Sequence, residues 1–443
     1  MHRLASALVI AAIAGGSATA RAESCPHGSH VQSTWHGNLI EPTDIAYAAS
    51  AGTYLVRWDH GATTGALRAR GELEPSSVIQ DRFAPEPDVL AGGNDSFLAV
   101  GKSSDGSGWV GRRLDLEGKL LSAFSIAALP PGAPDLPAIA WDGHAFLVTW
   151  SAPSTSSGWD VHLARVTEAG VVSPPVVVGH ATTRAAPNVH AIRAGAATWV
   201  AWDTERKDPA TDQAIRSTIG VRLDDADQLL DATPVVISEL AGPVAMASLG
   251  DTALILVQSG PSTSDIFMDA HVLDAHGLVS RGMASGEGTQ PFGLIAIPSR
   301  QTYALWTTVP HADEFPVPAT AVSVREIDAH GQQASTVHTI PSTARAIVAG
   351  GDRGLVAVGV ASQVSGTIGT ESIVARAVDA ALTPQGEHVI DESPFLREDL
   401  TVCDDDGAGM NAGCDPGPSA NGSLVAGVAI AFTLRRRRAP KRC

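Results

Sequence analysis

The chain has 443 residues, of which 44% are apolar, so it is long enough to bury a large hydrophobic core. It carries 47 acidic residues against 30 basic ones, and eight of the basic residues lie at the two ends, which leaves 22 within residues 23–434. The net charge of −25 over this middle part repels nucleic acid and anionic lipid, so we expect no nucleic-acid partner.

The first 22 residues have the three parts of a secretory signal peptide. A basic start, MHR, precedes an apolar run over residues 4–14, and an A-x-A cleavage site ends at Ala22. We therefore expect an exported chain that begins near Glu23. Lipidation of Cys25 is the alternative, but the charged Glu23 does not suit the small, apolar motif that lipidation requires.

The four cysteines, Cys25, Cys403, Cys414 and Cys443, lie near the two ends, and residues 26–402 contain none. No C-x-x-C pair or Cys/His cluster occurs, so we predict no metal site. In an oxidising compartment a Cys25–Cys403 disulfide would link the start of the mature chain to its end. The spacing leaves a Cys403–Cys414 bond open as the alternative.

The middle of the chain repeats a unit of about fifty residues seven times. In FLVTWSAPSTSSGWDVHLARVTEAG, an apolar strand, a polar loop and a second strand with an arginine precede a turn. Glycine suits the turn because a tight hairpin requires a positive φ. The turn positions are Gly71, Gly118, Gly170, Asp227, Gly277, Gly331 and about Leu382.

A shorter strand precedes each unit, as in DIAYAAS, PAIAWDG and NVHAIRAG, so each unit has four short strands. Apolar and polar residues alternate as in antiparallel sheet, and long helical periodicity is absent between residues 40 and 395. Four strands in each unit are typical of a propeller blade. We predict an all-β fold, a β-propeller of seven four-stranded blades. A six- or eight-bladed ring and two packed β-sandwiches are the alternatives.

Two features of the repeat carry a family resemblance. An aromatic residue or Leu opens strands such as FLVTW, and an Arg-x-Asp or Arg-x-Thr strand meets the turn. In both respects residues 40–395 resemble the degenerate propeller repeats of exported proteins from myxobacteria and their relatives. The resemblance implies the architecture only.

The middle of the chain contains no motif that specifies a reaction. Residues 103–109 resemble the aspartate box of sialidase-type propellers, in which the aspartate and glycine stabilise a hairpin. Glycines at 106, 108 and 111 match G-x-G-x-x-G, but a strand follows them where a dinucleotide site needs a helix. We therefore predict no cofactor and no catalytic residue.

Six tryptophans cluster in the second to fourth units. Trp150, Trp199 and Trp202 lie on predicted strands, where aromatic rings usually fill the space between blades. Trp109 and Trp159 follow polar loops, so we predict them as the aromatic residues of a ligand-binding face.

The end of the chain differs from the rest in composition. An apolar run of 13 residues from Gly422 to Leu434 is shorter than the roughly 20 residues that a stable transmembrane helix needs. A basic cluster follows the run and consists of Arg435, Arg436, Arg437 and Arg438.

Gly413-Cys414, a spacer, the apolar run and the arginine cluster occur in the order of the MYXO-CTERM type of sorting tail, which they resemble. The resemblance implies cleavage near Cys414 and attachment to the cell surface or outer membrane. The alternative is an uncleaved single-pass membrane anchor, with the propeller facing outward by the positive-inside rule.

We expect an exported, cell-surface-anchored propeller that acts as a binding or scaffold module for an unknown protein or glycan. An extracellular polysaccharide hydrolase or lyase is the alternative, and a purely structural envelope protein is a third. The expected segments are a signal peptide (1–22), an N-terminal segment (23–40), the propeller (41–395), an acidic Gly/Pro-rich linker (396–418) and the sorting or anchor tail (419–443).

Overall fold

The computed structural model describes most of the chain between residues 29 and 403. Cys25, the signal peptide with Ala22, and the tail with Gly413, Cys414 and residues 435–438 lie outside the described residues. The described residues are 29–37, 40–60, 63–70, 74–79, 89–134, 137–207, 214–239, 242–259, 267–285, 290–308, 322–340, 344–351, 354–365 and 368–403.

The described residues form β-strands, with a single 3₁₀ turn at Pro298–Arg300 as their only helix. Within these residues no helix has the length and apolar character needed to cross a membrane. The strands are arranged in six four-stranded sheets and one five-stranded sheet, and neighbouring strands within the four-stranded sheets are antiparallel. The all-β prediction is therefore confirmed for this part of the chain.

In the four-stranded sheets the strands follow one another in chain order. The first sheet consists of β2 (Ile40–Ala48), β3 (Thr53–His60), β4 (Thr63–Arg70) and β5 (Glu74–Ile79). The second consists of β6 (Val89–Gly92), β7 (Phe97–Lys102), β8 (Gly108–Leu114) and β9 (Leu120–Ala128). The third consists of β10 (Ala138–Trp141), β11 (Ala145–Pro153), β12 (Trp159–Thr167) and β13 (Val176–Ala181).

The remaining sheets continue the same order. The fourth consists of β14 (Val189–Ala194), β15 (Ala197–Lys207), β16 (Ala214–Leu223) and β17 (Val235–Ser238). The fifth consists of β18 (Pro243–Ser248), β19 (Thr252–Ser259), β20 (Phe267–Asp274) and β21 (Leu278–Ser285). The sixth consists of β22 (Gln290–Ile297), β23 (Thr302–Thr308), β24 (Val322–Asp328) and β25 (Gln333–Ile340). The seventh consists of β26 (Ala344–Gly351), β27 (Gly354–Ser365), β28 (Ile368–Val378), β29 (Pro384–Cys403) and, beside β29, β1 (Ser29–Gly37).

The sheets close into a ring within the unit Thr34–Glu398. The first strand of each sheet contacts the first strand of the next, from β2 through β6, β10, β14, β18 and β22 to β26. β26 in turn contacts β2, which completes the cycle. Sheets that pack face to face around their first strands define a β-propeller. We call these seven first strands the inner strands.

The hydrophobic core lies between neighbouring sheets. Each buried cluster combines residues of two adjacent sheets: Leu55 with Phe97 joins the first and second, and Leu147 with Val200 joins the third and fourth. Trp150, Trp199 and Trp202 are at most 2% exposed, which confirms their predicted place in the core. Each ring buries roughly 150–250 Å² of surface, so these tryptophans contribute strongly to the contact between sheets.

In five of the seven sheets, the turn that follows the third strand has the predicted backbone conformation. Gly118, Gly170 and Gly331 have φ between 79° and 82°, Asp227 has φ 59°, and even Leu382 has φ 62°. The predicted turn position therefore adopts the left-handed region in these five turns, whatever its side chain. In four of these turns an aspartate carboxylate accepts hydrogen bonds from the backbone N–H groups two and four residues later. The four aspartates are Asp115, Asp224, Asp328 and Asp379.

Strand structure extends beyond the predicted limits of the repeat at both ends. β29 continues to Cys403, although the sequence suggests a linker from residue 396, and β1 precedes the predicted propeller start at residue 41. The two strands are neighbours in one sheet. Each therefore supplies a hydrogen-bonding partner that the local sequence of the other does not reveal.

Candidate functional site

The inner strands surround a cavity of about 990 Å³. Every inner strand contributes to its lining, mostly with its last residues and with the turn that follows it. Tyr47, Trp141 and Arg193, for example, lie at the ends of β2, β10 and β14. The cavity therefore occupies the centre of the ring, at the side where the inner strands end.

Small residues dominate the lining. Thirteen of the 25 lining residues are Gly or Ala, which leaves the centre open and lets the inner strands approach one another. At Gly92 a Cβ atom would collide with the backbone carbonyl of Tyr47 on the neighbouring inner strand. A larger residue at this position would therefore separate β2 from β6.

A few aromatic and polar side chains interrupt this small, apolar surface. Tyr47 and Trp141 contribute rings, and Trp141 is half-buried with its ring centroid 4.7 Å from that of Phe146. Arg193 and Asp251 contribute opposite charges. Apolar walls with few polar groups are typical of ligand sites, and the cavity volume lies within their usual range.

Arg193 is fixed at the cavity by two contacts. Its Nε donates to the carbonyl of Gly195 at 3.0 Å, and its Nη1 donates to Asp225 Oδ1 at 2.7 Å. The ion pair raises the pKa of Arg193 and lowers the pKa of Asp225, chiefly through this hydrogen bond. Because Asp225 is 70% exposed, the pair is largely solvated and orients the guanidinium more than it stabilises the fold.

Asp142 also lines the cavity, but its carboxylate forms an ion pair with Arg165. Arg165 Nη1 donates to Asp142 Oδ2 at 2.7 Å, and the Asp142 side chain is 1% exposed. The same guanidinium donates to Asp227 Oδ1 at 2.6 Å and to the Thr198 hydroxyl at 2.9 Å, both in the next sheet. Arg165 therefore joins the third and fourth sheets beneath the cavity.

The sixth sheet contains the counterpart of the Asp142–Arg165 pair with the charges exchanged, and its arginine also contacts the seventh sheet. Here the cation, Arg300, lies in the turn after the inner strand, and it pairs with Glu326 of β24 at 2.9 Å. Arg300 Nη1 donates to the carbonyl of Ala380 at 2.6 Å, directly after a turn aspartate of the next sheet. Arg222 makes the equivalent bond to the carbonyl of Ala275 at 2.8 Å.

A buried carboxylate ties the first two inner strands together. Asp44 accepts backbone N–H bonds from Ile45 at 2.8 Å and from Leu90 of β6 at 2.6 Å. Burial raises the pKa of Asp44 to about 7, against the lowering effect of these bonds and of Arg57. Asp44 precedes Ile45, a lining residue, and nothing in its local sequence distinguishes it from a solvated acid.

The two tryptophans predicted to face a ligand differ in the structure. Trp109 is 1% exposed and packs in the cluster between the second and third sheets, so its ring presents no surface to a ligand. The prediction that Trp109 faces a ligand is therefore corrected: apolar residues of the neighbouring sheet pack against its ring. Trp159 is half-buried and donates its indole N–H to the carbonyl of Thr183 at 3.2 Å. A ligand contact at Trp159 stays a prediction.

The loop that resembles an aspartate box forms a self-contained turn. Asp105 Oδ1 accepts hydrogen bonds from the Ser103 and Ser107 hydroxyls, both at 2.7 Å, and from the Ser107 backbone N–H at 3.0 Å. These bonds lower the pKa of the exposed Asp105 to about 2. The carboxylate therefore organises the hairpin and is not poised for proton transfer.

Comparison with known proteins gives similarity of architecture only. No protein-family model matches the chain, and no curated protein matches it. Hsv2 from Kluyveromyces lactis is 9% identical over 80% of this chain and 99% of its own, with a TM-score of 0.42. A proposed 6-phosphogluconolactonase from Bacteroides uniformis is 13% identical over 82% and 99%, with a TM-score of 0.44. The WD40 domain of SCAP from fission yeast is 9% identical over 83% and 87%, with a TM-score of 0.41.

Proposed function

We propose that the protein is an exported, seven-bladed β-propeller that acts at the cell surface as a binding or scaffold module for a protein or polysaccharide. Each sheet of the ring counts as one blade in this proposal. The observation that carries it is the central cavity, to which every inner strand contributes and at which aromatic and charged side chains interrupt small, apolar walls.

The lining favours binding over hydrolysis. A glycoside hydrolase needs two carboxyl groups about 5 to 10 Å apart on either side of the scissile bond. Of the two acids in the lining, Asp142 is buried and engaged by Arg165, which leaves Asp251 as the exposed one. The rings of Tyr47 and Trp141 instead offer apolar faces on which a sugar or an aromatic side chain can stack.

We propose that a signal peptide ending at Ala22 exports the chain and that the C-terminal tail holds it at the surface. The tail combines Cys414, an apolar run and an arginine cluster, which is why we assign it the sorting role. A Cys25–Cys403 disulfide belongs to the same proposal. The pairing of β1 with β29 supports it, because β1 begins four residues after Cys25 and β29 ends at Cys403.

The binding proposal predicts that Trp141→Ala weakens ligand binding. Loss of one stacking ring costs about 1.4 kcal/mol, which corresponds to about a tenfold rise in Kd. The measurement is calorimetric titration of the purified protein with defined oligosaccharides and with envelope-derived peptides.

Trp159→Ala is the comparison variant that separates the two candidate positions, because Trp159 is also half-buried and lies in the same sheet but outside the cavity lining. Equal affinity for the wild type and for Trp141→Ala would place the ligand elsewhere. A loss confined to Trp159→Ala would move the site to the loops beside β12.

A further inference from the structure

The outer strand of the second sheet, β9, has an apolar and uncharged edge. Among the strands that the structure describes, β9 is the last of its sheet and pairs only with β8. Leu120 is 59% exposed and Leu121 is 49% exposed, and Ser122 and Ala123 are exposed as well. Over its nine residues, LLSAFSIAA, β9 contains no charged residue, no proline and no histidine.

Other outer strands carry features that discourage edge pairing. β5 contains a glutamate and a proline, β17 has only four residues, and β21 contains an arginine. β13 follows Pro174 and Pro175 and contains a histidine, and β25 is mostly polar. The edge of β29 is paired with β1. Charges, prolines and short length are the usual protection of sheet edges, and β9 has none of the three.

An open edge strand presents a row of backbone N–H and C=O groups that a further strand can satisfy. Water can also satisfy these groups, so the edge by itself does not require a partner. The exposed leucines do favour one, because pairing would remove them from water together with the backbone. The partner that fits must therefore be an extended, apolar and uncharged strand.

We propose that β9 pairs antiparallel with β9 of a second copy of this chain, which makes the protein a dimer. In this arrangement the leucines at the start of one strand lie opposite Ala127 and Ala128 at the end of the other, so large residues meet small ones. A parallel pair would place Leu120 beside Leu120. The same edge is used in both copies, so the contact closes and does not propagate into a fibre.

If two copies associate, charge makes β9 the outer strand at which they repel each other least. Residues 23–434 carry a net charge of −25, so two copies repel each other across most surfaces. A strand of nine uncharged residues is where two such copies can approach with least repulsion. A contact through β21 would bring Arg281 of each copy into the interface, and a contact through β13 would meet the two prolines.

The test is the oligomeric state of the purified protein, measured by sedimentation velocity over a range of concentrations. We expect a concentration-dependent dimer for the wild type. Leu121→Glu should raise the dimer Kd by about tenfold or more, because it places a charge in the paired edge. Ala123→Lys should do the same with the opposite charge, which separates edge pairing from a general effect of net charge.

Val177→Glu is the matched control, because Val177 is 58% exposed on β13 of the next sheet. It should leave the dimer intact, and circular dichroism should show that all three variants remain folded. A monomeric wild type at every concentration would overturn the proposal. So would a dimer that Leu121→Glu and Ala123→Lys leave unchanged, or one that Val177→Glu weakens equally.

Discussion

His271 is buried without a hydrogen-bond partner. It is 3% exposed on β20, and among the described residues neither ring nitrogen has a partner. Burial, assisted by the charge of Arg281, lowers the pKa of His271 to about 4. His190 on β14 resembles it, since burial also lowers its pKa to about 4 against the opposing charge of Asp203. The native ring therefore keeps these imidazoles neutral.

This environment predicts that the protein loses stability on acidification. A histidine whose folded pKa lies below its ordinary value of 6.5 stabilises the fold fully above pH 6.5 and loses that contribution as the pH falls towards 4. For His271 the loss is about 3 kcal/mol. His271→Leu should reduce the difference between urea unfolding free energies measured above pH 6.5 and near pH 4.

His276→Leu is the control, because His276 is exposed in the turn that follows β20. Asp44 acts in the opposite direction: its pKa is raised to about 7, so its burial costs least at low pH and most above pH 7. Comparing His271→Leu with the wild type keeps the Asp44 contribution constant. An equal fall in unfolding free energy for the wild type and for His271→Leu would show that His271 does not cause the acid sensitivity.

The surroundings of individual tryptophans could not be predicted from their local sequence. Trp109 and Trp159 both follow polar loops, but only the packing of two sheets shows that Trp109 is buried. Trp141 lines the cavity, and its sequence context, AIAWDG, looks like that of any inner strand. Burial and cavity lining depend on neighbouring sheets, so a local pattern cannot distinguish these rings.

At the level of elements, guanidinium groups connect one sheet to the next. Arg165 donates from three different nitrogens to Asp142, Thr198 and Asp227. A lysine has a compact ammonium group and cannot reproduce this planar fork. The arrangement therefore depends on the shape of arginine as well as on its charge.

We predict that Arg165→Lys destabilises the protein by about 2 kcal/mol, because it loses at least one hydrogen bond to a charged partner. Arg165→Met should cost about 3 to 5 kcal/mol, because it leaves the buried Asp142 without a counter-charge. Urea unfolding at neutral pH measures both values. Arg281→Lys is the control at an exposed arginine and should have no measurable effect. Near-wild-type stability of Arg165→Met would show that Arg165 does not hold the sheets together.

Turns and connections differ in how far the sequence predicts them. The turn positions follow from a local requirement for positive φ, so the spacing of Gly118, Gly170 and Gly331 identified them directly. The bond from Arg165 to Asp227 joins residues 62 positions apart and becomes visible only when the sheets are assembled. The bond from Arg300 to the carbonyl of Ala380, 80 positions further along the chain in the next sheet, is hidden for the same reason.

For the whole molecule, the repeat predicted the strand order of the ring but not its ends. Four strands in each unit followed from the alternating pattern and the turns, and six sheets have this composition. The fifth strand of the last sheet joins β1 to β29, which are separated by most of the chain. The central cavity likewise combines residues of all inner strands, and no single repeat contains it.

The central claim is that this propeller is exported and held at the cell surface, where its cavity is available to a ligand. Intact-mass and peptide mass spectrometry of the protein from separated membrane, surface and medium fractions tests the claim most directly. We predict a species that runs from Glu23 to about Cys414, with added mass on that cysteine and no peptide containing Arg435. A species that begins at Met1 and stays in the cytoplasm would contradict export. One that retains residues 435–443 in the inner-membrane fraction would contradict tail processing.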